Sequence, residues 1–115
     1  AVPRVLPDAN FSALMREMSA KGLGATAVVD ADNRVLGIFT DGDLRRLVEQ
    51  GADLRGTTAQ EVMHNSPSTV DQHALAVDAA DLMERNRITS VLVVDEEGRL
   101  CGALNSNDLM RAKVI

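Results

Sequence analysis

Met18–Leu47 and Met83–Ala112 align without a gap at an offset of 65, with nine identities in thirty positions. Average residue usage would give about two by chance. The matches include Val28/Val93, Val29/Val94, Asp30/Asp95, Gly37/Gly102, Asp43/Asp108 and Leu44/Leu109. A chain that repeats itself has to build its structure from two copies of one supersecondary unit. The same offset carries Val5 onto Val70, so each unit begins before its first helix. The expected organisation is a first repeat over 1–50, a connector over 51–65 and a second repeat over 66–115.

Hydrophobic spacing assigns the elements of each unit. Val5-Leu6 and Thr69-Val70 are short extended lead-ins. Phe11, Leu14, Met15 and Met18 recur at i, i+3, i+4, i+7, and Leu75, Ala79, Leu82 and Met83 form the same kind of stripe, which predicts two amphipathic helices. Gly22 and Gly24 can end the first of them. Ala25–Asp30 and Ser90–Asp95 are short, apolar and rich in Val, so they read as buried strands. Turn residues Ala31-Asp32-Asn33 and Glu96-Glu97-Gly98 lead to return strands at Val35–Phe39 and Leu100–Leu104. Further helices are expected after Thr40 and after Asn105. Each unit is thus β-α-β-β-α, with helices over about half of the chain. The fold class is mixed α/β (α+β). One unit alone cannot bury both faces of three short strands, so the two pack sheet to sheet around a pseudo-twofold axis.

Composition excludes several functions. No apolar run approaches the roughly 20 residues that cross a bilayer. The net charge is −5 and the basic residues are scattered, which argues against nucleic acid as a partner. One cysteine, Cys101, excludes an intramolecular disulfide and fits a reducing compartment. Cys101 sits between Leu100 and Gly102 and reads as a small buried residue. His64 and His73 read as ordinary surface residues, and together with one cysteine they leave little for a metal site. With two Phe and no Trp or Tyr, aromatic stacking is not the main binding device. Ala1–Asp8 has neither a basic start nor an apolar h-region, so the chain is expected to be part of a longer cytoplasmic polypeptide.

The strand end Gly37-Ile38-Phe39-Thr40 running into Asp41-Gly42-Asp43-Leu44, the hairpin start Val28-Val29-Asp30 and the repeat together resemble a pair of cystathionine-β-synthase (CBS) domains, a Bateman module. Gly37–Arg46, Thr58–Met63 and the ending Asp108–Ala112 further resemble the C-terminal part of bacterial D-arabinose-5-phosphate isomerases. In that family a separate sugar-isomerase lobe interconverts ribulose 5-phosphate and arabinose 5-phosphate for synthesis of the lipopolysaccharide sugar Kdo. The resemblance implies a regulatory module with no catalytic residue and no cofactor of its own.

Thr40, three residues before Asp43 at a strand-to-helix junction, reads as a helix cap. The same end offers N–H groups and a dipole that suit a phosphate, with Thr40 donating its hydroxyl and Asp43 accepting from ribose hydroxyls. The resemblance assigns these two residues to that role and places the opposite wall at Met63–Thr69, including Pro67, and at Ile88-Thr89. A base would lie between Ile38 and Ile88, whose plain alternative is core packing. A weaker second site is expected at Asn105, Asp108 and Gly24, where Asn replaces Thr. Arg45 and Arg46 are open to a phosphate, to a solvated helix face or to an ion pair of Arg45 with Glu49.

Three functions compete: a nucleotide-regulated module of the isomerase, an adenine-nucleotide sensor of another host, and a structural module that binds nothing. The isomerase pathway nominates CMP or CMP-Kdo as effector. The outer helices Phe11–Met18 and Ala74–Met83 are expected to support self-association to at least a dimer.

Overall fold

The computed structural model describes residues 2–21, 24–74 and 76–105. The first unit runs β1 (Arg4–Val5), α1 (Phe11–Lys21), β2 (Ala25–Val29), β3 (Val35–Thr40) and α2 (Asp41–Glu49). The connector holds a one-turn helix, α3 (Ala59–Val62), and a short strand, β4 (His64–Asn65). The second unit runs β5 (Thr69–Asp71), α4 (Ala76–Asn86), β6 (Ser90–Val94) and β7 (Leu100–Asn105). The helix expected after Asn105, Asp108, Gly22 and Leu75 lie outside the described residues.

The repeat is reproduced strand by strand. β1 pairs parallel with β2 through Arg4↔Ala27, and β5 pairs parallel with β6 through the repeat-related Thr69↔Leu92. β2–β3 and β6–β7 are antiparallel hairpins with a register shift at the same place, between Val28 and Val29 and between Val93 and Val94. Each shift leaves one residue unpaired on the return strand, Leu36 in one hairpin and Cys101 in the other. A bulge residue is left out of the ladder, and Cys101 is exposed rather than buried as its neighbours implied.

The pseudo-twofold axis passes between the hairpin turns. The Val35 amide donates to the Gly98 carbonyl at 3.0 Å, and the Leu100 amide donates to the Asn33 carbonyl at 2.9 Å. These two bonds exchange under the offset of 65. Ala25, Ala27, Val29 and Ile38 of the first sheet pack there against Leu92 and Leu100 of the second. On its other face the first sheet carries Leu14 and Met18 of α1, Leu44 and Leu47 of α2, and Ala59 of α3 over Val28 and Phe39. The second sheet carries Ala79, Ala80 and Met83 of α4 over Val91. The layers are therefore helices, sheet, sheet, helices.

The described helices have 11, 9, 4 and 11 residues, about a third of the described chain, and the last of the expected helices lies outside it. One expectation changes: the connector is a structural element, since β4 adds a fourth strand to the first sheet next to β3. The Ala59 amide donates to the Ala9 carbonyl and the Phe11 amide to the Thr57 carbonyl, which ties α3 to the start of α1. No helix of the described residues is long and apolar enough to cross a membrane.

Candidate functional site

β3 delivers Thr40 to the start of α2 in an extended conformation (φ −121°, ψ 166°) that lets it cap the helix. The Asp43 amide donates to Thr40 Oγ1 at 3.2 Å, and the Thr40 amide donates to Asp43 Oδ2 at 2.9 Å. This is a capping box with Asp in place of the usual Glu or Gln. The Thr40 hydroxyl donates to Asp43 Oδ2 at 3.0 Å, so the hydrogen expected to serve a phosphate is held by Asp43. Asp43 is 7% exposed, its Oδ1 bonded by the Arg46 guanidinium and 3.6 Å from His64 Nε2. The Asp41 amide donates to the Gly24 carbonyl. The amides of Thr40, Asp41 and Asp43 are thus already bonded inside the protein, which leaves the helix end little to offer an anion.

Beside this cap lies a cleft of about 600 Å³ between the two units. Its first wall is Gly24, Ile38, Thr40, Asp41, Gly42, Arg45 and Arg46. Its second wall is Arg87, Ile88, Thr89, Ser90 and Asn105, and the connector residues His64–Ser68 close one side. Asp41 is the one carboxylate on this lining, against three arginines. Arg45 and Arg87 make no side-chain hydrogen bond or ion pair among the described residues. A positive cleft in a chain of net charge −5 concentrates the field on an anionic ligand.

The structure brings Thr40, Ile38, Ile88, Thr89 and Pro67 together on this cleft. Gly24 and Asn105, expected at a separate second site, line the same cleft. Two of the nominated residues do not line it. Asp43 sits behind Thr40, while Met63 packs with the helix-side core of the first sheet, where a Cβ on Gly37 would come within 2.5 Å of its Sδ. Ile38 serves both the cleft and the core between the sheets. Arg46 pairs with Asp43 at i, i+3, and of the alternatives open to Arg45 the ion pair with Glu49 is not formed. His64, read as an ordinary surface residue, is exposed and also lies on the cleft beside Asp43. Sequence reasoning missed Arg87. Its signal was a mismatch in the repeat, since Gly22 stands at the equivalent position of the first unit.

Two repeat-related β-α-β-β units packed sheet to sheet, with a shared cleft at the strand-to-helix junction, define a tandem CBS pair. A family model of the CBS domain matches residues 1–50 and 59–115, and the chain belongs to that family. It is 44% identical over 114 residues to the arabinose 5-phosphate isomerase KdsD of Pseudomonas aeruginosa, covering 99% of this chain and 35% of that protein. It is 41% identical over 115 residues to the arabinose 5-phosphate isomerase GutQ of Escherichia coli K12, covering 100% of this chain and 36% of that protein. The chain spans about a third of the length of these curated relatives and corresponds to their CBS region. Among solved structures, it resembles a CBS domain protein of Pyrobaculum aerophilum complexed with AMP, with a TM-score of 0.85 and 29% identity over 94% of this chain and 82% of that one. A CBS-domain protein of Agrobacterium tumefaciens gives a TM-score of 0.84 and 30% identity over 98% of this chain and 84% of that one.

Proposed function

We propose that the chain is the nucleotide-sensing module, over repeats 1–50 and 66–115, of a cytoplasmic D-arabinose-5-phosphate isomerase, with its effector in the cleft between the units. The observation that carries this is the cleft: three arginines against one carboxylate in an acidic chain, beside two isoleucines. Ile38 and Ile88 flank the base, with Thr89 and the backbone near Pro67 reading its edge. Thr40 holds Asp43 in place, and the ribose hydroxyls take the Asp43 carboxylate in exchange for Arg46, which frees that guanidinium for the phosphate. The isomerase lobe, which lies outside this chain, carries the chemistry.

The effector is a cytidine nucleotide, CMP or CMP-Kdo. The reason is metabolic: an early committed step is suited to inhibition by a late, activated product of its pathway. The likeness to the AMP-complexed protein of Pyrobaculum aerophilum favours AMP as the second reading. Thermal unfolding with CMP, CMP-Kdo, AMP and ATP separates them, since a ligand at 100 Kd stabilises by about 2.7 kcal/mol. A shift with cytidine nucleotides that disappears in Asp43→Asn is expected. A shift with adenine nucleotides alone supports the second reading, and no shift with any nucleotide leaves a purely structural module.

Self-association belongs to the same proposal. α1 buries Leu14 and Met18 within the chain, so the apolar face expected to be free on α1 is covered. α4 leaves Val77 49% exposed and is the outer helix left for a second copy. A strict monomer in sedimentation equilibrium at high concentration would refute it.

A further inference from the structure

α4 ends in a Schellman motif. The Ile88 amide donates to the Met83 carbonyl at 3.0 Å and the Arg87 amide to the Glu84 carbonyl at 3.3 Å, which places Arg87 at the first position past the cap. The motif requires a left-handed residue there, and Arg87 has φ +54°. Glycine is the ordinary occupant because a Cβ is strained in that region. The first repeat has Gly22 at the equivalent position, so the unit accepts glycine in its other copy. Two other non-glycine residues have positive φ among the described residues, Asn33 and Ser66. Asn tolerates that conformation. Ser66 and Arg87 face the same cleft from the connector and from the second unit.

Strain of this kind persists where the side chain is needed. The Arg87 side chain has no partner among the described residues and lines the cleft on the wall opposite Arg45 and Arg46. We propose that Arg87 is an anion-binding residue of the cleft, retained at a glycine position because it supplies the only cationic side chain that the second unit contributes to the lining among the described residues. It engages the phosphate of a nucleotide, so the ligand's charge is held from both units at once and draws the two walls together. This rests on the proposed nucleotide reading for the identity of the ligand, but not for the anion.

The test compares Arg87→Gly, Arg87→Asn and Arg87→Lys in the 115-residue chain. Gly and Asn both suit the left-handed position, so neither variant is expected to unfold. Without ligand, Arg87→Gly is expected to melt about 3 °C higher than the wild type, since it relieves the strain. In the same variant the affinity for CMP or AMP is expected to fall about tenfold or more, the loss of one charge-assisted hydrogen bond. Affinity for cytidine or adenosine is expected to stay unchanged. Arg87→Asn follows Arg87→Gly, and Arg87→Lys keeps most of the binding.

Pyrophosphate serves as a probe that does not depend on the nucleoside. If it protects the wild type and not Arg87→Gly while no nucleotide does, the anion role stands and the nucleotide reading falls. Equal binding of nucleotide by wild type and Arg87→Gly would overturn the inference. An equal loss for nucleotide and nucleoside would overturn it as well, because Arg87 would then shape the cleft and not read charge. Absence of protection by every anion, pyrophosphate included, would also overturn it.

Discussion

Gly37 and Gly102 are the same residue in the two repeats, yet they stand in different surroundings. A Cβ on Gly37 would lie 2.5 Å from Met63 Sδ and 2.7 Å from the His64 carbonyl oxygen. The thioether can swing aside, but the carbonyl belongs to β4 and is held in the sheet. Around Gly102 the nearest atom would be Val93 Cβ at 3.8 Å. Gly37→Ala should therefore lower stability by about 1–3 kcal/mol, whereas Gly102→Ala should change it by less than about 0.5 kcal/mol. Urea unfolding of the two single variants checks the contrast, and equal effects would contradict it. Thr26 is a second asymmetry. It is fully buried, and its hydroxyl has no hydrogen-bond partner among the described residues. The second repeat has Val91 there, equally buried. Thr26→Val removes a desolvated donor from an apolar site and should stabilise by about 1 kcal/mol. A lower urea midpoint for that variant would mean the hydroxyl has a partner in solution.

The hairpin turns explain why Asp30 and Asp95 match across the repeat. Asp30 Oδ1 accepts from the amides of Asp32 and Arg34, and Asp95 Oδ1 accepts from the amides of Glu97 and Arg99, all at 2.9 Å. These carboxylates hold the two hairpin turns. The Arg99 amide holds the Asp95 carboxyl below the usual carboxylate pKa; burial opposes it as the next-largest effect, and the Glu97 amide and the charges of Arg99 and Arg34 add to the lowering. A depressed folded-state pKa means that the ionised form stabilises the fold. That stability is fully present above the unfolded-state value, about pH 4, and is lost as pH falls through the lower folded-state value. Asp95→Asn should be less stable than the wild type at pH 7, with the difference closing in that acid range. Urea midpoints from pH 7 to pH 2 measure it, and a difference that stays constant would show that the charge is not what holds the turn.

At the scale of the molecule, stability depends on the face shared by the units. Leu92 and Leu100 of the second sheet cover Ala25, Ala27, Val29 and Ile38 of the first. Removing either unit exposes that face to water. Residues 1–65 alone retain α1, α2, α3 and the four-stranded sheet but have nothing over its inner face. They should form no folded monomer and either stay unfolded or pair with a second copy through the axis. Circular dichroism with sedimentation decides this, and a cooperative melt from a monomeric 1–65 fragment would contradict it. The same geometry makes the cleft a property of the pair, since its walls come from both units.

The sequence by itself determined the repeat, the order of the strands and first helix within each unit, the hairpins and the cap of α2. Each of these rests on patterns a few residues long: the Phe11–Met18 spacing, the Val-rich strands, the Asp-led turns and the Thr40/Asp43 pair. What the tertiary structure decided involves residues far apart in the chain. Its place mid-strand between Leu100 and Gly102 makes Cys101 read as buried, but the register shift against β6 leaves it unpaired and exposed, as the matching shift leaves Leu36, which is 37% exposed. The connector looked like a linker because α3 and β4 are too short to show a period, and they are held by pairing to Ala9 and to β3. Thr40, Gly24 and Asn105 were assigned to two sites because the repeat treats the halves as equivalent, yet they meet on one cleft. Arg87 carries only one signal in the sequence, its mismatch with Gly22 in the repeat, and that mismatch alone does not show a left-handed φ. It is imposed by the Schellman turn that closes α4, and only the packing of one unit against the other shows where the arginine held there points.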